Sequence, residues 1–82
     1  MGLSLESMRL MATQWRTRNQ EYSGGVVLVW ENAVYGWKNE LRDAHQERPG
    51  AYAIDTDGAI FIAAGGNKNA GAERWDTVAP GI

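Results

Sequence analysis

The sequence predicts an α+β fold: an N-terminal helix followed by two β-hairpins that form a mainly antiparallel four-stranded sheet, with a short helix between the hairpins. Three observations point there. Apolar residues recur at helical spacing from Leu5 to Trp15, Val26–Trp30 reads VVLVW, and residues 51–66 read AYAIDTDGAIFIAAGG around an Asp-Gly turn. The 82 residues are read as one small domain, 1–82, with an ordered core over about 3–75 and a tail over 76–82.

Residues 3–18 form the expected helix. Leu5, Met8, Met11, Ala12 and Trp15 fall on one stripe. Ser4 is the expected N-cap, Glu6 suits the positive end of the helix dipole, and Arg16 and Arg18 suit the other end. Asn19 is a stop signal, and Ser23-Gly24-Gly25 breaks any continuation.

Val26–Trp30 has the β-branched and aromatic composition of a strand, and Glu31-Asn32 can turn it back into 33–37. A two-residue loop puts Val26, Leu28, Trp30, Tyr35 and Trp37 on one face and Val27, Val29 and Val34 on the other. A three-residue loop ending at Ala33 moves Tyr35 and Trp37 across. Both registers suit the composition, since neither set is polar.

Residues 38–48 are charged and helix-forming. Trp37, Leu41 and Ala44 or His45 recur at helical spacing, so a short helix is expected, with an ordered loop as the alternative. Pro49-Gly50 ends it. On such a helix Glu40, Asp43 and Glu47, interleaved with Lys38, Arg42 and Arg48, form a solvated face.

The second hairpin allows a firmer register. A three-residue loop, Thr56-Asp57-Gly58, pairs Asp55 with Ala59 and gathers Tyr52, Ile54, Ile60 and Ile62 on one face, with Ala53 and Phe61 on the other. It also matches a type I turn followed by a left-handed glycine. Residues 65–71, GGNKNAG, read as a loop, 70–75 as a helical turn that returns Trp75 to the core, and the chain from Asp76 as a tail.

Both faces of this sheet are apolar, which one helix and a short second one do not obviously cover. The surplus is to be hidden by the tail, by a second copy of the chain or by a partner, unless the two helices straddle the sheet.

Composition limits the function. A chain this small buries only roughly 60–65% of its unfolded surface, so four tryptophans are a large share of its core or of an interface. There is no cysteine, hence no disulfide or thiolate metal site, and no apolar run approaches the length of a bilayer span. No signal-peptide pattern is present and the cytoplasm is the expected location. A net charge of −2 disfavours nonspecific attraction to nucleic acid or anionic membrane.

Each candidate for chemistry has a plainer explanation. Asp55-Thr56-Asp57-Gly58 starts like a calcium loop, but the later EF-hand positions fall on Ala59, Ile60 and Gly66, and turn chemistry accounts for the run. His45 is the single histidine, and no nucleophile-elbow pattern surrounds Ser4, Ser7 or Ser23. The 65–71 loop lacks the P-loop and dinucleotide patterns.

No catalytic residue, cofactor or metal is therefore expected. The sequence favours a non-enzymatic interaction or regulatory protein that dimerises or binds a protein partner through an aromatic-rich sheet face bearing Trp30, Tyr35, Trp37 and Phe61. The alternative is single-stranded nucleic-acid binding by Arg9, Arg16 and Arg18 with the sheet aromatics.

Overall fold

The computed structural model describes residues 4–81; positions 3 and 82, the expected helix start and tail end, lie outside them. Helix α1 spans Leu5–Arg18. The Ser4 hydroxyl accepts from the Ser7 amide at 3.0 Å, and the Asn19 side chain donates to the Trp15 carbonyl at 2.8 Å, so both helix ends are closed by the expected residues. No helix of the described residues is long and apolar enough to cross a membrane.

Five strands follow: β1 Val26–Trp30, β2 Ala33–Lys38, β3 Tyr52–Asp55, β4 Ile60–Ala64 and β5 Arg74–Ala79. They form one antiparallel sheet in the order β2-β1-β3-β4-β5. The α+β class and the two hairpins hold, but the sheet has five strands rather than four. Residues 74–79, expected as the end of a helical turn and the start of a tail, pair along β4 instead. Thr77 and Val78 carry the β-branched signal for this strand, masked by Arg74 and Asp76 at its exposed edge.

The second hairpin has the expected register. Tyr52 faces Ile62, Ala53 faces Phe61 and Ile54 faces Ile60. Asp55 turns its carboxylate onto the Asp57 and Ala59 amides, both at 2.9 Å, and Gly58 takes a φ of +85°. Asp55 and Gly58 of the Asp-Thr-Asp-Gly run are thus used by the turn.

The first hairpin uses the two-residue loop, with Glu31 and Asn32 both left-handed (φ +49° and +67°), as a type I′ turn requires. The register then slips: Val29 faces Val34 but Leu28 faces Gly36, so Tyr35 is an extra, bulged residue. Trp37 consequently opposes Val27 rather than sharing a face with Tyr35. Neither loop length alone anticipates this split.

The two faces now have separate covers. Met8 and Ala12 of α1 pack on Val27, Val29, Ile54, Ile60 and Ala79, with Trp15 and Trp37 at the margin. The opposite face carries Val26, Leu28 and Ala53 beneath Leu41, Phe61 and Trp75, beside an alanine cluster of Ala44, Ala51, Ala63 and Ala72 under Trp30 and Trp75. Residues 39–51 cover this face as an ordered loop. The expected short helix shrinks to a single 3-10 turn, Ala44–Gln46, preceded by a left-handed Asp43. Its supposed apolar stripe is divided, because Trp37 belongs to β2 and packs toward α1 while Leu41 packs on the other side. The surplus apolar surface is therefore met largely by the chain's own loop and by β5.

The I′ turn yields a test. Glutamate in the left-handed region is strained, whereas asparagine tolerates it, so Glu31→Asn should raise stability by about 1 kcal/mol. Urea unfolding reads this as a higher midpoint at unchanged slope; an unchanged or lower midpoint would show that the turn stores no such strain.

Candidate functional site

The β2 bulge and the loop over the second face together build a polar centre. Tyr35 and Lys38 come from β2, and Glu47 follows the 3-10 turn of the covering loop. The Tyr35 hydroxyl donates to Glu47 Oε1 at 2.6 Å, and Lys38 Nζ lies 3.0 Å from Glu47 Oε2. Lys38 also donates toward the Arg42 and Asp43 carbonyls at 3.1 and 3.3 Å and to Gln46 Oε1 at 3.0 Å. The Lys38 and Glu47 side chains are only 10% and 8% exposed.

This is a correction to Glu47, expected on a solvated helix face with Glu40 and Asp43. Glu40 is exposed as expected, Asp43 is intermediate, and Glu47 is buried. Lys38 and Glu47 are nine positions apart across an irregular loop, a spacing that no helix or strand periodicity brings together.

The chemistry of the centre is that of a closed network. The Lys38 ammonium has three N–H donors and four acceptors around it. Burial, reinforced by the hydrogen bond to Glu47 and its negative charge, pushes the Tyr35 phenol well above the usual tyrosine range, with Arg48 opposing weakly. The Tyr35 ring is nonetheless half exposed, so only its hydroxyl end is committed to the interior. These groups hold one another in place.

Outside the network lies a cleft of about 360 Å³ lined by Trp30, Tyr35, Gln46, Glu47 and Arg48. The Arg48 guanidinium stands 4.8 Å from the centre of the Trp30 ring, a cation–π contact worth about 0.5–1 kcal/mol at an exposed site. The Trp30 ring also lies against Gly50, where φ is +96° and a Cβ would come within 3.1 Å of the indole. An adjoining cleft of about 560 Å³ lies beyond Tyr35, toward Leu28, Gly36 and Arg42.

The four aromatics expected on one binding face are thus divided. Trp30 and Tyr35 line the same cleft. Phe61 is half-buried on that face, paired with Ala53 and packed among Val26, Leu28 and Trp75. Trp37 packs toward α1, donating its indole N–H to the Gly24 carbonyl at 3.1 Å with its ring 5.2 Å from Tyr22, and shares with Tyr35 only the lining of the adjoining cleft. The sequence reading missed Gln46, Glu47 and Arg48 as cleft residues, because their proximity to Tyr35 depends on the loop's path.

The arginines of α1 turn toward the fold. Arg9 donates to the Gly58 and Pro80 carbonyls at 2.9 and 3.1 Å. Arg16 donates to the Gly24 and Gly25 carbonyls at 2.6 and 2.9 Å. Desolvation lowers the Arg16 pKa from its ordinary value, with Asp55 opposing. His45 is exposed. In the 65–71 loop the Asn67 side chain accepts from the Asn69 and Ala70 amides at 2.9 and 2.8 Å, closing the turn on itself. Among the described residues no three or more His, Asp or Glu side chains converge as a metal-binding set.

Two measurements probe the centre. Lys38→Met strands the Glu47 carboxylate and should cost about 3–5 kcal/mol, whereas pairing it with Glu47→Leu should cost less than the single change. Additive losses in a urea double-mutant cycle would show that the two charges do not depend on each other. For Tyr35, the folded pKa lies above the unfolded value of about 10, so above that pH the unfolded state sheds a proton that the folded state keeps. The stabilisation is complete below pH ~10 and is lost as pH rises beyond it. The stability gap between wild type and Tyr35→Phe should therefore narrow as pH rises above ~10, read by urea unfolding at each pH; a constant gap would contradict the buried hydroxyl. No protein-family model, curated protein or solved structure matches the chain.

Proposed function

We propose that this chain is a small non-catalytic interaction protein that binds a protein partner through the cleft of Trp30 and Tyr35. The observation that carries the reading is the meeting of Trp, Tyr and Arg, the three residue types that dominate interface energetics, in one concave patch braced from behind by a buried ion pair. The half-exposed Tyr35 ring offers contact area at low entropic cost, because its hydroxyl is already fixed by Glu47.

The nucleic-acid alternative draws less support, since Arg9 and Arg16 direct their donors to backbone carbonyls rather than to an outer surface. Dimerisation remains one form of the same proposal, with a second copy as the partner.

Selection of a displayed random-peptide library on the folded protein tests the reading. Selected peptides should lose about tenfold or more in affinity on Arg48→Ala and on Tyr35→Ala, with circular dichroism confirming that each variant folds. Light scattering on the free protein tests for a second copy as the occupant. A library that yields no ligand from a chain that also stays monomeric, or ligands insensitive to both variants, would overturn the assignment.

A further inference from the structure

The hydrogen-bonding inventory of the cleft is lopsided. Both oxygens of Glu47 are engaged, one by the Tyr35 hydroxyl and one by Lys38, and Gln46 Oε1 also accepts from Lys38. On the donor side, among the described residues, the Trp30 indole N–H, the Arg48 guanidinium and the Gln46 amide nitrogen have no hydrogen-bond partner. The free side-chain donors of the cleft therefore outnumber its free acceptors, among which the Tyr35 hydroxyl oxygen keeps its lone pairs. A ligand that fits brings more acceptors than donors, because each donor buried without a partner is penalised.

Charge points the same way. Lys38 and Glu47 cancel, and Arg42 is flanked by Glu40 and Asp43 at 3.8 and 3.3 Å. Arg48 forms no ion pair among the described residues, which leaves one uncompensated positive charge at the rim. The shape adds a third element: the half-exposed Tyr35 lines both of two adjoining clefts.

Resting on the reading of this cleft as the contact surface, we infer that its occupant is a proline-rich, acidic segment of a partner protein in the polyproline II conformation. Proline supplies a backbone carbonyl with no N–H, and an extended proline helix presents those carbonyls outward. Its rings pack on exposed aromatic side chains and suit aromatic-lined grooves. A carboxylate on the segment meets the Arg48 guanidinium. Single-stranded nucleic acid is also rich in acceptors, but following a phosphate backbone takes a row of cations, and this rim supplies one.

Titration of the isotope-labelled full chain by NMR decides the matter. The ligands are a short synthetic repeat of Pro-Pro-Glu, the same repeat with lysine for glutamate, a third with serine for proline, and an oligothymidylate. The Pro-Pro-Glu peptide should shift the Trp30 indole and Gln46 side-chain amide signals and bind about tenfold more tightly than each of the others. Arg48→Ala should erase the preference for glutamate over lysine while keeping that for proline over serine. Trp30→Phe, which keeps an aromatic ring on the alanine cluster, should weaken all proline peptides. Equal binding of the lysine or serine peptide, stronger shifts with oligothymidylate, or no shift with any ligand would overturn the inference. Library-selected peptides that lack proline and acid yet move the Trp30 signal would also overturn it, while leaving the cleft as the contact surface; a cleft silent to every peptide would remove both.

Discussion

The Lys38 ammonium and the Glu47 carboxylate lose most of their water where residues 39–51 close over the sheet, and an unpaired charge at such depth costs several kcal/mol. They are tolerated because each completes the other and because the Tyr35 hydroxyl, the Gln46 amide oxygen and the Arg42 and Asp43 carbonyls satisfy what remains. This requirement has a geometric effect. A loop without regular hydrogen bonding is placed at one position on the sheet, since sliding it would separate opposite charges in a poorly hydrated site. The Trp75 indole N–H, which donates to the Arg42 carbonyl at 3.2 Å, ties β5 into the same arrangement.

Around that fixed point, side-chain size decides how closely the layers approach. The α1 side uses methionine, valine and isoleucine, filling the distance a helix keeps from a sheet. The loop side uses alanine at positions 44, 51, 63 and 72, which lets backbone come close enough for the Ala72 amide to donate to the Glu47 carbonyl at 2.9 Å. Trp30 and Trp75 then roof the alanines. A sheet that is apolar on both faces is thereby buried by a chain with one helix, and two of its four tryptophans, Trp30 and Trp75, cover wide, shallow alanine ground.

How far the sequence reveals this varies with the range of the forces involved. The caps of α1 at Ser4 and Asn19 and the 56–58 turn are local, written in capping side chains and a left-handed glycine, and they read correctly. The bulge at Tyr35 is not local: it reconciles Trp37 packing toward α1 with Tyr35 reaching Glu47, two contacts on opposite faces. Residues 38–48 have helical periodicity, but a helix this short is marginal in water, and the buried ion pair favours an irregular path. Strand β5 pairs at a sheet edge where half its side chains are polar, so its pattern resembles a solvated tail. The cleft was half legible, through Trp30 and Tyr35, and its polar half depended on that irregular path.

The two register slips have an implication for how the molecule tolerates crowding. One lies between β1 and β2 at Tyr35 and the other between β4 and β5 at Val78, so each outermost strand carries a bulge. On β2 the last residue, Lys38, turns its charge inward, and β5 is followed directly by Pro80. Bulges, inward charges and prolines all spoil the straight row of amides and carbonyls that a foreign strand would need to zip onto. The sheet is thus guarded against growing sideways into aggregates, and lasting contacts with other molecules are directed to its side-chain surfaces.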